Sequence, residues 1–364
     1  MRFTARDGHG AGMSRQLPRP RPGRPLLRRG RDQVQVGLDP ATAVVVSRLS
    51  DDASAALLRL DGDHALHDVV REHPELGPVL ELLHRRGLLD DDAERPTALP
   101  AFRRERWRAE IGAHALTSSH TAAVALLRRR AKASVAVRGN DRCAALVAVG
   151  LAAAGVGTVA LEGPDRVVEV ADLGPSGPFE PDVPWLEHVA EAVRRQGASP
   201  AASSSRTRGP AAVVICAAAD ADIPWTDPEI ADDLLSDGVP HLPVAVSGPR
   251  AAVGPFVVPG RPGCLWCLDH RRRDADPAWP ALADQLRLHH SRATTSLGLV
   301  ASAAASLAVA QVLQLVDGGR GATPASLGAQ LVIEAPDLLV ERHDAPAHPA
   351  CGCGWAGYAS TMVG

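Results

Sequence analysis

The chain has 364 residues, 45% of them hydrophobic, and a formal net charge of −3. That length accommodates two domains and a sizeable core. The small net charge and the 3% aromatic content argue against a nucleic-acid-binding surface built on phosphate contacts and base stacking. Lys132 is the only lysine amid heavy arginine use, a bias that takes weight away from single arginines and Ala-rich runs. No apolar run reads as a clean membrane span, and no apolar signal core follows the arginine-rich start. The expectation is a cytoplasmic protein with reduced thiols and neither membrane nor nucleic-acid partners.

In chain order, residues 1–24 are rich in Arg, Pro and Gly and read as a disordered tail. Residues 25–92 form a small unit. "PLLRRGRDQVQVGL" alternates Val34 and Val36 with polar residues and predicts a hairpin, and "ATAVVVSRL" a third strand. Three short helical patterns follow, the last with Leu76, Val79, Leu80 and Leu83 at helical spacing. A hairpin plus three helices predicts a winged helix–turn–helix. Residues 93–131 read as a linker with helices.

From 132 to 364 strands and helices alternate: "ASVAV", "CAALVAVGLAAAG", "GTVAL", "AAVVICAAA", "DPEIADDLLSDG", "HLPVAV", "AVGPFVV", then late strands "AQLVIE" and "LLVERH". This predicts an α/β fold with a mostly parallel, Rossmann-like sheet covered on both faces. The apolar stretch from Thr294 to Gly319 predicts a long helix in the core or at a dimer interface. "ASPAASSSRTRGP" at 198–210 reads as a surface loop.

Two cysteine pairs stand out. Cys264 and Cys267 are C-x2-C, and Cys351 and Cys353 are C-x-C. Two such pairs make a closed tetrahedral site, and four thiolates leave no open coordination position, so the metal would be structural zinc. The competing readings are disulfides, which a reduced compartment disfavours, or unrelated buried cysteines. Trp266 and Trp355 adjoin the pairs and are expected to pack over the site. Cys143 and Cys216 read as small core residues without partners. His64, His67, His289 and His290 read as surface or satisfied helix histidines, and "HRRRD" at 270–274 as a solvated helix face.

An open parallel sheet binds nucleotides at the end of its first strand, on a glycine-rich turn at a helix N-terminus. Here the turn reads "VAVRGNDRCAAL". Gly139 is present, but Asp141, Arg142 and Ala144 occupy the region where further glycines are needed, and Asp141 opposes phosphate. Glu162, after the second strand, is either a ribose acceptor or a solvated loop-end acid. Asp220 and Asp222, after "AAVVIC", are either Mg²⁺ ligands or loop caps.

"AGVGTVALEGPDRVVEVADL" resembles the segment after the glycine turn in the ThiF/MoeB superfamily of ubiquitin-activating-like adenylyltransferases. "DGVPHLPVAVSGPRAAVGPFVVPGRPGCLWCLDHRRRDADPAW" with "HPACGCGW" resembles the actinobacterial ThiF-like branch linked to bacteriocin and azoline-peptide cyclodehydratases. "RRGRDQVQVGLDPATAVVV" with "LLRLDGDHALHDVV" resembles its PqqD-like leader-peptide recognition element. The resemblance covers about residues 20–357. It implies a leader-peptide-binding and scaffold component of ribosomal-peptide maturation, commonly dimeric. The leader would add as a strand to a sheet edge. A YcaO-type partner would bind ATP and make azolines from Cys, Ser or Thr. It assigns Gly139, Glu162 and Asp220 to a degenerate nucleotide site and Cys264, Cys267, Cys351 and Cys353 to zinc, although many relatives have C-x2-C for the second pair. No residue matches the family's phosphate-binding lysine. Two alternatives stand beside this reading. One is an active ATP-dependent adenylyltransferase that activates a carboxylate. The other is a DNA-binding regulator, which the mixed-charge helices disfavour.

Overall fold

The computed structural model describes residues 18–21, 23–60, 64–91, 105–115, 118, 120–164, 166–169, 183–202, 212–218, 225–261, 263–288, 296–318 and 322–354. The chain divides into two compact units, 1–128 and 129–364, a few residues before the boundary read from the sequence at 131/132.

In the N-terminal unit, β2 (Leu26–Arg28), β3 (Gln33–Val36) and β4 (Val44–Ser47) form an antiparallel sheet in the order β2-β3-β4. The valine alternation explains why. Val34 and Val36 are fully buried, whereas Gln33 and Gln35 are only partly so. Helices α1 (Asp51–Leu58), α2 (Leu66–Glu72) and α3 (Leu76–Arg85) close the core with Leu57, Leu76, Leu80 and Leu83. Ser50 caps α1 by accepting from the Ala53 N–H at 3.1 Å, and its hydroxyl binds Glu75 just before α3.

One expectation fails here. The segment 18–24, assigned to the tail, is built into this unit. β1 (Pro18–Pro20) pairs antiparallel with β5 (Leu89–Asp91). The Arg21 guanidinium donates to the Ser118 carbonyl at 2.6 Å and to Ala115 O at 3.3 Å, at the C-terminus of α4 (Arg108–Ala115). Prolines fit here because β1 is an edge and Pro18 and Pro20 turn away from β5. Residues 1–17 of the expected tail, and 93–104 of the expected linker, lie outside the described residues.

Helix α5 (His120–Lys132) leads into the C-terminal unit. Its strands are β6 (Ser134–Arg138), β7 (Thr158–Glu162), β8 (Ser199–Ala202), β9 (Ala212–Ala218), β10 (His241–Ser247), β11 (Arg250–Val253), β12 (Ala329–Glu334) and β13 (Leu339–Asp344). They form one sheet in the order β13-β12-β11-β10-β9-β6-β7-β8. The five strands from β10 to β8 are parallel, and β10 through β13 run antiparallel. This is the expected Rossmann-like half, with an antiparallel extension that the sequence pattern did not separate. β8 corrects the reading of 198–210 as loop throughout. "SPAA" lacks β-branched residues, so pairing with β7 decides its conformation.

Alternate residues of the parallel strands bury on opposite faces. Val135, Val137 and Val214 pack with α6 (Arg142–Ala153), α7 (Trp185–Arg195) and α11 (Gly298–Gly318). Ala136, Val213 and Ile215 pack toward α8 (Asp232–Ser236) and α9 (Leu265–Ala275), which α10 (Trp279–Leu288) follows in the chain. Helix α11 is long and apolar enough, by length and composition, to cross a membrane. In this fold its Val300, Ala301, Ala304, Ala308, Val312 and Leu315 are buried against the sheet and α6. Gly150 of α6 permits that approach, since a Cβ there would lie 3.0 Å from Val309. Arg130 locks the layer. It grips Asp317 at 2.7 and 2.9 Å and donates to Ala154 O at the end of α6.

Candidate functional site

Strand order reverses between β6 and β9, with β7 and β8 on one side and β10 on the other. A nucleotide crevice in such a sheet lies outside the strand ends at that switch point. Gly139 and Glu162 do meet here: the Gly139 N–H donates to Glu162 O at 2.8 Å. Asp220 and Asp222 lie outside the described residues, as do His289, His290 and Trp355.

What surrounds Gly139 differs from a phosphate cradle. Asp141 is the N-cap of α6, and its Oδ1 accepts from the Ala144 N–H at 2.8 Å. The side chain thus places a carboxylate where the helix N-terminus would hold an anion. Asn140 donates to Pro164 O at 3.0 Å, and Arg166 donates to Asn140 O at 2.9 Å, pinning the turn to the loop after β7. The Glu162 carboxylate is taken by Arg138 at 3.2 Å, and Arg138 also reaches Asp233 at 3.3 Å and Ile230 O at 3.1 Å. The acid assigned to ribose is therefore neutralised from within. Arg138, the last residue of β6, is the group that neutralises it. Asp233 is held below the usual carboxylate range: its slight burial opposes this, and the hydrogen bond from Arg138 prevails.

Gly139 also has a packing reason to be glycine. Its φ is +144°, and a Cβ would lie 2.7 Å from Cys216 O. Below it sits Cys216, whose thiol is pushed up by a hydrogen bond with Cys143 and by burial. The two cysteines read as partnerless are partners of each other.

The four paired cysteines converge. All four sulfurs lie within 4.8 Å of one another. Cys264 Sγ is 3.8 Å from Cys267 Sγ and 3.5 Å from Cys351 Sγ, and Cys267 Sγ is 3.5 Å from Cys353 Sγ. A tetrahedron with Zn–S bonds of about 2.3 Å has S···S edges of about 3.8 Å, so the donor set fits a tetrathiolate metal site in both chemistry and spacing. Cys267 is pushed down to about 4 by the hydrogen bond from Cys264, with burial opposing. Cys264 moves the other way, through the same bond and burial. Burial pushes Cys351 up to about 11. The first pair rides on the start of α9, with Cys264 as its N-cap residue, and the second on the turn Gly352–Gly354. Gly263 makes the first turn possible, since a Cβ there would meet Ala345 O at 2.8 Å. Trp266 points to Asp232, to which its indole N–H donates at 2.7 Å.

The N-terminal unit offers two binding features. β3 uses its odd residues toward β2, as the bonds Arg29 N–H to Gln33 O and Gly37 N–H to Pro25 O show. Val34 and Val36 therefore bond β4, and Val45 and Ser47 direct their N–H and C=O groups outward. Among the described residues β4 pairs only with β3. Separately, a groove of about 840 Å³ opens between α2 and α3, floored by Leu66, Val70, Leu80 and Leu89.

No family model matches the chain, and no curated protein matches it. Solved structures do. E. coli MccB with MccA is 14% identical, with a TM-score of 0.62, covering 93% of this chain and 99% of that one. MccB with ATP is 13% identical, with a TM-score of 0.61, over 92% and 99%. PaaA is 17% identical, with a TM-score of 0.64, over 90% and 99%. The chain thus shares the fold of these proteins along nearly its whole length.

Proposed function

We propose that this chain is a leader-peptide-binding and scaffold component of ribosomal-peptide maturation. In this reading the N-terminal unit is a PqqD-like winged helix–turn–helix that captures the leader of a precursor peptide. The C-terminal unit presents that peptide to a YcaO-type cyclodehydratase, which supplies the ATP chemistry, and the chain works as a homodimer in the cytoplasm. The observation that carries the reading is the glycine turn after β6. Its helix N-terminus is capped by Asp141 and its acidic residue is bound by Arg138. A chain that fills its own phosphate and ribose positions is suited to holding a substrate rather than activating one. The solved complexes of the similarly folded MccB with the precursor peptide MccA support the peptide-binding half.

The outward edge of β4 is the docking strand in this reading, with main-chain hydrogen bonds at Val45 and Ser47 providing affinity. The test uses a synthetic leader from a short Cys/Ser/Thr-rich precursor sought among the neighbouring genes, labelled and titrated by fluorescence anisotropy. Val45→Pro removes an outward N–H and should weaken binding at least about tenfold with the circular dichroism unchanged. Equal binding by the variant refutes strand addition at β4. No binding by the wild type refutes leader recognition. A second reading, an active adenylyltransferase, draws on the MccB structure with ATP. Pyrophosphate and AMP release from ATP by the purified chain with the precursor would establish it in place of the scaffold.

A further inference from the structure

The metal centre has a supporting structure that nothing in the sequence announces. Helix α9 carries Cys267, His270, Arg271 and Asp274 at helical spacing on one face. The segment 346–351 lies along that face. His348 Nε2 is 2.7 Å from an Asp274 carboxylate oxygen, and the His348 ring stacks on His270 with centroids 5.1 Å apart. Arg271 donates to the carbonyls of Pro346 and Ala347 at 3.2 and 3.3 Å. The Ala350 N–H donates to His348 Nδ1 at 3.2 Å, and the Cys351 N–H to His348 O at 2.9 Å. The His348 N–H hydrogen-bonds the Cys267 sulfur. Nδ1 accepts and Nε2–H donates, so the neutral imidazole satisfies both contacts in one tautomer.

We propose that His348, fastened by Asp274, is the positioning residue that holds the Cys351–Cys353 turn in ligand register against Cys264 and Cys267 and so sets how tightly the centre keeps its metal. The ligand pairs lie 86 residues apart, between Cys267 and Cys353, and without the clasp the second pair must be ordered each time metal binds. The His348 side chain is only 11% exposed, whereas that of Asp274 is 63% exposed, so changes at Asp274 leave the core untouched. Partners that orient metal ligands from outside the coordination sphere commonly change affinity about 10- to 100-fold.

The inference rests on the tetrathiolate metal reading, and the experiment separates the two. The full chain is loaded with Zn²⁺, its stoichiometry is measured by elemental analysis, and transfer of metal to a colorimetric chelator is timed. The same proteins are loaded with Co²⁺ for their ligand-field spectra. Asp274→Ala and His348→Ala should release metal at least about tenfold faster and broaden the Co²⁺ bands. Asp274→Asn keeps an acceptor for Nε2–H, and His348→Gln keeps a donor, so each should stay near the wild type. Wild-type release rates in Asp274→Ala, with unchanged Co²⁺ bands, overturn the clasp and leave the metal site standing. A wild type that takes up no Zn²⁺ or Co²⁺ overturns the metal site itself and the clasp with it.

Discussion

Removing the metal should loosen the C-terminal unit by an amount that the chain connectivity fixes. The site joins Cys267 to Cys353 across 86 residues. Closing a loop of that length in the unfolded chain costs entropy that, in the chain-entropy model, comes to about 4.6 kcal/mol at 25 °C. The intact site removes that cost from folding. Coordination enthalpy adds to it, and the thiol protons released on binding set its pH dependence. For a unit spanning 129–364, each kcal/mol moves the melting temperature by about 2–4 °C, so stripping the metal should lower it by about 9–18 °C. Tryptophan fluorescence reports mainly on this unit, since five of the six tryptophans lie beyond residue 128. The assay is a fluorescence melt of the zinc-loaded chain, of the chelated chain, and of the chelated chain resupplied with Zn²⁺. Cys353→Ser serves as the genetic counterpart. A chelated protein that melts within about 2 °C of the loaded one refutes the argument, because the cross-link would then carry none of the loop-closure entropy.

Mg-ATP titrated by calorimetry should show no saturation below about 1 mM, because Asp141 and the Arg138–Glu162 pair occupy the turn; a micromolar dissociation constant sinks that account. Asp317→Ala leaves the buried Arg130 guanidinium without its carboxylate and should cost about 3 kcal/mol, read as a reduced urea midpoint. Asp317→Asn, which keeps an acceptor, should lose less. His241 is buried at the start of β10, and burial pushes its imidazole below the usual range, against the opposing bond to Val239 O. The unfolded chain therefore binds a proton there more readily than the folded one. The stability it contributes is full above about pH 6.5 and is lost as pH falls through its lowered folded value. His241→Asn, which keeps a donor for Val239 O, should flatten that acid limb in denaturant melts at pH 5 and pH 7.5. An unchanged slope removes His241 as the cause.

Much of the fold was legible because its strongest signals are local. The Val34/Val36 alternation placed the hairpin, and the spacing of the paired cysteines grouped the four thiols that the fold brings within 4.8 Å of one another. The losses share a physical origin in long-range partners. Pro18–Pro20 looks unstructured because its partner, Leu89–Asp91, lies some 70 residues on, and a proline-rich edge carries no strand signature. Ser199–Ala202 is a strand only through its pairing with β7. Helix α7 went unread although its burial of Trp185, Val189 and Val193 is helical in spacing. At the candidate sites, single residues were found but their pairings were not. Glu162 was singled out, yet only the parallel register of β6 and β7 places Arg138 beside it. The same holds for Cys143 and Cys216, whereas His348 carries no signal at all until the fold brings it to Asp274.

Gly139 shows why a glycine at this turn is poor evidence for a working phosphate site. In a binding turn, glycine lets the backbone approach phosphate. Here a Cβ would strike Cys216 O at 2.7 Å, and Gly163 across the turn holds φ +146° with a Cβ 3.3 Å from Gly139 O. The close approach of β6, β7 and β9 at their C-terminal ends requires both glycines, with or without ligand. The glycines facing phosphate rather than protein carry no such demand. The turn shows that division: glycine remains where backbone presses on backbone, and Asp141, Arg142 and Ala144 stand where a phosphate would need room. Packing alone therefore accounts for glycine at the sheet's switch point, whatever that point binds.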